Sequence, residues 1–323
     1  MSKGFFVGAG ALVACFCAAP CARAWGCKGH QTVALIAEKH LTPEAQQLVE
    51  KLLGANPIDP TLKRWCGNAT RDLLVDASTW PDDVRSERRN GPWHYVDIPR
   101  AKHKGSLEEY CGAEGCVTRT IEEQRAMLKD RSADPAKRAE AIRYLIHFVG
   151  DMHQPLHVIN NGDNGGNCVP VKYLDREPLP NPEHPERDDY SPNLHQIWDT
   201  EMVERDMEVS SPHRYADELD EKFRAESAAW EADGIHVVNW AWEVHARAES
   251  EVYEAFSTKI PVEPDAKPKS CSDNNHIGKR MFEKHLTADE AYQRRAAKAV
   301  EMGLAEAGVR LAMILNEAAK TNP

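Results

Sequence analysis

The run Ala141–His157, AIRYLIHFVGDMHQPLH, constrains this chain more than any other stretch. It is apolar almost throughout, yet it carries His147, Asp151 and His157. On a helix His147 and Asp151, four residues apart, lie one above the other on the same face. Ile142, Leu145, Ile146, Phe148 and Val149 surround that helix with hydrocarbon, the pattern of a buried helix rather than a surface one. A carboxylate and an imidazole in such a place need partners, because an unpaired buried charge is costly. Pro155 ends the helix, and His157 returns from the turn beyond it. By itself the pair reads as a hydrogen bond inside a core; with more ligands elsewhere it reads as a metal cluster.

The remaining organisation is helical. His30–His40 carries Val33, Ile36 and Ala37 at helical spacing, and Thr42-Pro43 reads as cap and first residue of a second helix ending near Gly54. Val117–Lys129 is amphipathic, and Asp134-Pro135 opens the central helix. Ser191-Pro192 is expected to start another helix. Arg214–Trp230 and Ile235–Phe256 read as helical, and Thr287-Ala-Asp-Glu290 reads as a capping box for a last helix reaching Asn316. Short extended pieces are expected at Trp93–Ile98 and Val169–Leu174, a turn at Gly162–Asn167, and an exposed, proline-rich loop at Asp175–Tyr190. Pro261–Pro268 is a linker-like break too short to mark a domain boundary. The economical reading is one mostly α domain, a multi-helix bundle with a few short strands and long loops.

Residues 1–24 read as a signal peptide: Lys3, an apolar run from Gly4 to Cys17, and the small-x-small site Ala22-Arg23-Ala24. That run is too short to span a membrane, and no later stretch is long enough. A lipoprotein-like box ending at Cys15 is the alternative, leaving the protein anchored. Cleavage before Trp25 leaves Cys27, Cys66, Cys111, Cys116, Cys168 and Cys271, an even number that suggests disulfides in an exported chain. Cys111 and Cys116 flank a tight turn and are the expected pair; the other four allow three pairings. Asn68-Ala69-Thr70 is a glycosylation sequon, relevant only in a eukaryotic host.

A second pair, His195 and Asp199 in NLHQIWD, repeats the four-residue spacing. With His147, Asp151 and His157 it gives five nitrogen and oxygen ligands, more than one tetrahedral zinc with an open position needs. A multinuclear site follows. The start of the expected mature chain, Trp25-Gly-Cys-Lys-Gly-His30, reads either as a Trp and a His at the entry of the first helix or as a further chelate made of a freed α-amine, its own carbonyl and His30.

WGxxGH at the mature start, HFxGDMxQPLH in the middle and NLHxxWD after it resemble the fungal single-strand-specific zinc nucleases, with the plant bifunctional nucleases and the trypanosomatid 3′-nucleotidase/nucleases. Bacillar zinc phospholipase C shares their fold. The resemblance runs from Trp25 to about Asn316 and implies a bundle of the zinc phospholipase C/nuclease type over residues 25–323 holding three zinc ions. One would be held by Asp82, His94, His147 and Asp151, a second by His157, His195 and Asp199. The third would take the amine and carbonyl of Trp25 with His30, sharing Asp151. Asp82 lies in STWPDDVR, similar to the family's SxWADxxR; only the register to Arg85 selects it over Asp83.

The implied reaction is phosphodiester hydrolysis of single-stranded RNA or DNA to 5′-nucleotides, with possible removal of 3′-phosphate from nucleotides. A water shared by two zincs attacks phosphorus in line, and the remaining zinc takes the leaving 3′-oxygen. Arg85 would stabilise the phosphoryl oxygens, the alternative being an ion pair with Asp82 or Asp83. Tyr95, where family members carry Phe, and Asp97 match residues that bind an unpaired base, and Asn167 is a further candidate there. His153 replaces a small polar residue of the fungal enzymes. The acidic balance, 40 Lys+Arg against 51 Asp+Glu and net −11, gives no overall field attracting nucleic acid, so bound zinc must supply the local positive charge. No stable protein partner is implied, and a monomer is expected. The other readings are a phospholipase C-like lipid hydrolase, against which Tyr95 and Asp97 argue, and a non-catalytic metal-binding protein.

Overall fold

Thr42, Pro43, Asp134 and Pro135 set the first boundaries. In the computed structural model, which describes residues 25–67, 69–208, 210–263, 268 and 270–320, helix α1 (Cys27–Lys39) is followed by α2 (Pro43–Ala55). The hydroxyl of Thr42 accepts the N–H of Ala45, with Pro43 in the first turn. Three short pieces follow, α3 (Leu73–Ser78), α4 (Trp80–Asp83) and α5 (Arg85–Arg88). Then come α6 (Val117–Lys129) and α7 (Pro135–His153), the latter capped by Asp134, whose carboxylate accepts the N–H of Ala136 at 2.9 Å. The expected signal segment 1–24, the alternative anchor at Cys15 and the sequon residue Asn68 lie outside the described residues.

Every residue from Ala141 to His153 is buried, as an all-round apolar helix requires. Helix α7 packs against α1, α2, α3 and α6. The second half of the chain adds α8 (Leu194–Gln196), α9 (Met202–Met207), α10 (Pro212–Lys222), α11 (Arg224–Asp233), α12 (Val237–Arg247), α13 (Asp273–Phe282) and α14 (Glu290–Lys320). Of these, α12 and α14 also lie on α7. Two π-helical turns, Ile197–Glu201 and Ala248–Tyr253, continue α8 and α12. Four two-residue strands complete the fold: β1 (Lys172–Tyr173) runs parallel to β4 (Thr287–Ala288), and β2 (Leu179–Pro180) antiparallel to β3 (Tyr190–Ser191).

Several boundaries differ from expectation. Ser191-Pro192 does not open a helix: Ser191 pairs with Leu179, and the cap is Asn193, whose side chain accepts the N–H of Gln196 at 2.9 Å. Thr287 is likewise drawn into β4, so Asp289 caps the last helix by accepting the N–H groups of Ala291 and Tyr292, and that helix runs to Lys320. Arg214–Trp230 splits at Phe223 into α10 and α11. The piece expected to be extended from Trp93 instead begins as a 3-10 turn, Gly91–His94, with extended chain from Tyr95. Asp175–Tyr190 is no plain loop, since β2 and the start of β3 fold it back as a small hairpin.

Cys111 pairs with Cys116 as expected, and the other four form Cys27–Cys66 and Cys168–Cys271. Both long-range links serve the region below. One ties the start of α1 to the loop before α3, and the other ties the turn beyond Gly165 to the residues just before α13.

Candidate metal centre

The last turns of α7 deliver His147 and Asp151 into the centre of the bundle, where neither is exposed. Three groups of buried or nearly buried side chains meet there: His30, His147 and Asp151; Asp82, His94 and His147; and His157, His195 and Asp199. Within each group the ligand atoms lie within 4.8 Å of one another. Asp151 joins the first two. Its Oδ1 is 3.2 Å from His30 Nε2, while its Oδ2 is 2.8 Å from His94 Nδ1 and 3.4 Å from His147 Nε2. Asp82 Oδ1 stands 3.9 Å from both of those histidine nitrogens. Asp83 turns away, its Oδ1 accepting the N–H of Trp65 at 2.6 Å. In the third group Asp199 lies 3.3 Å from His195 Nε2 and 3.9 Å from His157 Nε2, and it sits on the π-helical turn, a distortion frequent at functional sites. Trp25 is fully buried, and the next residue, Gly26, donates its N–H to the carbonyl of Asp199 at 2.6 Å. The chain at Trp25 is thereby held beside the third group.

Main-chain carbonyls aim the imidazoles. Nδ1 of His147 bonds the carbonyl of Ser78 at 2.7 Å, Nδ1 of His157 that of His94 at 2.7 Å, and Nδ1 of His195 that of Gly165 at 2.6 Å. Each carbonyl can only accept, so Nδ1 carries the proton and Nε2 presents a lone pair to the group. His94 is reversed: Nε2 approaches Asn90 Oδ1 at 3.4 Å and Nδ1 faces Asp151. Asn90, fully buried, donates in turn to the carbonyl of Pro81. Gln154 donates to Asp199 Oδ1 and accepts the N–H of Leu156, fixing that carboxylate. Such outer partners orient metal ligands and tune their basicity.

The centre has the signature of a site built for cations. Buried atoms without a hydrogen-bond partner include His30 Nδ1 and Nε2, Asp82 Oδ1, Asp151 Oδ1, His157 Nε2 and His195 Nε2. Orphaned polar atoms are costly and uncommon in a native interior, and here they converge on three points. Imidazole nitrogen and carboxylate oxygen, with no thiolate, suit zinc. Burial lowers His30 to about 4 and pulls His94 and His157 well below the usual imidazole value, with His147 lowered as well. These rings are therefore neutral and able to ligate near pH 7. Burial also raises Asp151 well above the carboxylate range and Asp199 to about 6. At His195 burial acts downward, but the Asp199 carboxylate outweighs it and the net shift is up.

Glycines clear the space. A Cβ on Gly150 would lie 3.0 Å from His30 Nδ1, and one on Gly165, where φ is +58°, would meet the carbonyl of Leu156 at 2.7 Å. Gly150→Ala should therefore cost about 1–3 kcal/mol from overpacking, despite the better helix propensity of alanine. The same variant should retain less zinc at His30. Denaturant unfolding together with metal content checks this; unchanged values for both would show that the ring has room.

The residues expected on the substrate side are less closely gathered. Arg85 leans on Asp82, Nη1 to Oδ1 at 3.8 Å, at the edge of the second group. Tyr95 follows His94 and is 38% exposed. Asp97 accepts from Asn160 Nδ2 at 2.9 Å. Asn167 donates to the carbonyl of Asn164, closing its own turn. His153 points away, bonded to the carbonyl of Val149 and to Arg310. Asn90, Gln154 and the three aiming carbonyls went unread in the sequence; Gln154, lodged between Asp151 and His157, carried a positional hint, and Asn90 none.

A family model described as S1/P1 Nuclease matches residues 25–320. Nuclease P1 of Penicillium citrinum is 30% identical over 188 residues, covering 56% of this chain and 59% of that protein. Endonuclease 4 of Arabidopsis thaliana is 32% identical over 196 residues, 56% of each chain. Nuclease S1 of Aspergillus oryzae is 25% identical over 301 residues, 90% of this chain and 91% of that protein. The matched part thus spans little more than half the length of the first two relatives and nine-tenths of the third.

Proposed function

The chain belongs to the S1/P1 nuclease family, and from that premise we propose that it is an exported, zinc-dependent endonuclease hydrolysing single-stranded RNA or DNA to 5′-nucleotides. Removal of 3′-phosphate from nucleotides belongs to the same proposal. The observation that carries it is the Asp151 carboxylate, fully buried, with one oxygen toward His30 and the other toward His94 and His147. Asp82, His94, His147 and Asp151 would hold one ion; His157, His195 and Asp199 a second; His30, Asp151 and the amine and carbonyl of Trp25 a third. Residues 1–24 are the proposed signal peptide, and their removal frees that amine.

Bound zinc would supply a water of lowered pKa and Lewis-acid stabilisation of charge at phosphorus. The protein's own contribution is position and charge. Arg85 offers a planar fork to the non-bridging phosphoryl oxygens, and its present partner Asp82 keeps it at the rim. Tyr95 presents an aromatic face to an unpaired base, and Asp97 accepts from base N–H groups, held by Asn160. Asn167 is assigned the weakest part, a hydrogen bond at the base.

The test is an assay of the chain starting at Trp25 on single-stranded RNA, single-stranded DNA, 3′-nucleotides and phosphatidylcholine, with and without chelator. Chelator-sensitive cleavage of single strands is expected, with duplexes cut slowly. Lipid hydrolysis without nucleic-acid cleavage would replace the proposal with a phospholipase. No hydrolysis of any of them would leave a metal-binding protein.

A further inference from the structure

We infer that Asp163 is a positioning residue for His195, acting through the turn Gly162–Asn167, with Tyr253 as the clasp that holds it. His195 is seated on that turn twice. Its ring donates from Nδ1 to the carbonyl of Gly165 at 2.6 Å, and its main-chain N–H donates to the carbonyl of Gly166 at 3.3 Å. Such a turn is poorly self-sustaining. Asn164, Gly165 and Gly166 follow one another at φ +57°, +58° and +82°, the left-handed region that costs asparagine steric strain and glycine entropy. The side chain of Asp163 spans these three residues.

Asp163 is 1% exposed, and its Oδ1 accepts the N–H of Gly166 at 3.0 Å, closing the left-handed stretch from within. Its main-chain carbonyl accepts the N–H of Cys168 at 3.0 Å on the far side. The hydroxyl of Tyr253, buried as well, donates to Oδ2 at 2.9 Å. The Arg100 guanidinium lies over the Tyr253 ring, 4.8 Å from its centre, and fixes where that hydroxyl points. A carboxylate suits this place because it only accepts, and Gly166, Tyr253 and, at 3.4 Å, the N–H of Asn161 all donate to it. Tyr253 ends the π-helical turn Ala248–Tyr253, and the other such turn among the described residues carries Asp199. Both distortions therefore serve the group His157, His195 and Asp199, one supplying a ligand and the other the clasp behind a ligand.

This rests on the reading of His157, His195 and Asp199 as a metal group, so the test follows the ring as well as the metal. Asp163→Ala, Asp163→Asn and Tyr253→Phe should be compared with the parent chain from Trp25. In metal-free protein, NMR of the imidazole nitrogens should show His195 losing its fixed Nδ1–H form in the alanine variant, with His147 and His157 unchanged. Loss of an outer partner predicts that one zinc equivalent binds about 10- to 100-fold more weakly in that variant, the others changing by less than about twofold. Asparagine keeps an acceptor for Gly166 and can donate to a reoriented Tyr253 hydroxyl, so Asp163→Asn should recover most of the loss. Tyr253→Phe should weaken the same zinc equivalent toward the lower end of that range, and it carries the test should the alanine variant not fold. Zinc affinities lowered together, in step with a fall in unfolding temperature, would mean a structural residue only and overturn the inference. So would variants that keep the parental His195 signals. Parent protein that binds no zinc would sink the metal reading, and the ring signals would still decide the positioning.

Discussion

Asp151→Asn should leave a folded protein that cleaves single-stranded nucleic acid at least about a thousandfold more slowly, a loss comparable to removing a principal transition-state stabiliser. The amide matches the carboxyl in shape, and burial, which holds Asp151 well above the carboxylate range, already favours its uncharged form in the metal-free protein. The metal-free variant should therefore unfold at nearly the parent temperature. Zinc, in contrast, would need the anion, and the two proposed sites that share this residue would lose their negative bridge. Metal analysis should show zinc retained mainly at His157, His195 and Asp199. A variant with parental zinc content and parental activity would mean that Asp151 is a core residue and not a ligand.

Removing the metals should have the second largest effect. With chelator, activity should vanish and thermal unfolding should drop by roughly 10 °C, because anything bound only to the folded state stabilises it. The pH dependence follows from the two kinds of ligand. Asp199 moves from 3.8 to about 6 on folding, so in the metal-free protein its ionised form above about pH 6 costs about 3 kcal/mol. Zinc bound at Asp199 as proposed would remove that cost, and below about pH 6 it would first have to displace a proton. His30, held down to about 4 by burial, stays proton-free until well below that. In the metal-free protein it lowers stability only as pH falls from about 6.5 toward 4, where the unfolded chain gains a proton and the folded chain does not. The zinc-dependent rise in unfolding temperature should thus be full near pH 7 and shrink as pH falls through about 6. A rise independent of pH between about 5 and 7 would argue that carboxylates do not compete with protons at this centre.

What could be read from the chain follows the range of the interactions involved. The buried helix and its His147–Asp151 face were legible because spacing and hydrocarbon are local properties. The caps at Thr42 and Asp134 were legible for the same reason. At Ser191 and Thr287 the local signal pointed two residues too early, because strand pairing with Leu179 and Lys172 took those residues and left Asn193 and Asp289 to cap. Asp82 and His94 come from two further segments, and only the likeness to a known family placed them with α7; His30 was a candidate from its place beside the expected amine, and the likeness added its sharing of Asp151. The pairing of Cys27 with Cys66 and of Cys168 with Cys271 depends on tertiary approach, which spacing does not encode. Asn90 left no mark, since a buried amide that orients a ligand looks like any other loop asparagine.

The acceptors that aim His147, His157 and His195 are the main-chain oxygens of Ser78, His94 and Gly165. A side-chain substitution cannot delete a peptide carbonyl; it can only bend the path that carries it. Selection on the orientation of these three rings therefore falls on backbone course, through glycines, turns and the Cys168–Cys271 bridge, and leaves the side chain of Ser78 free to drift, unlike those of Asn90 and Gln154. A centre wired in this way can persist while most of the surrounding sequence is rewritten. In a search for distant versions of it, the turn geometry at Gly165 should endure longer than the identity of its neighbours.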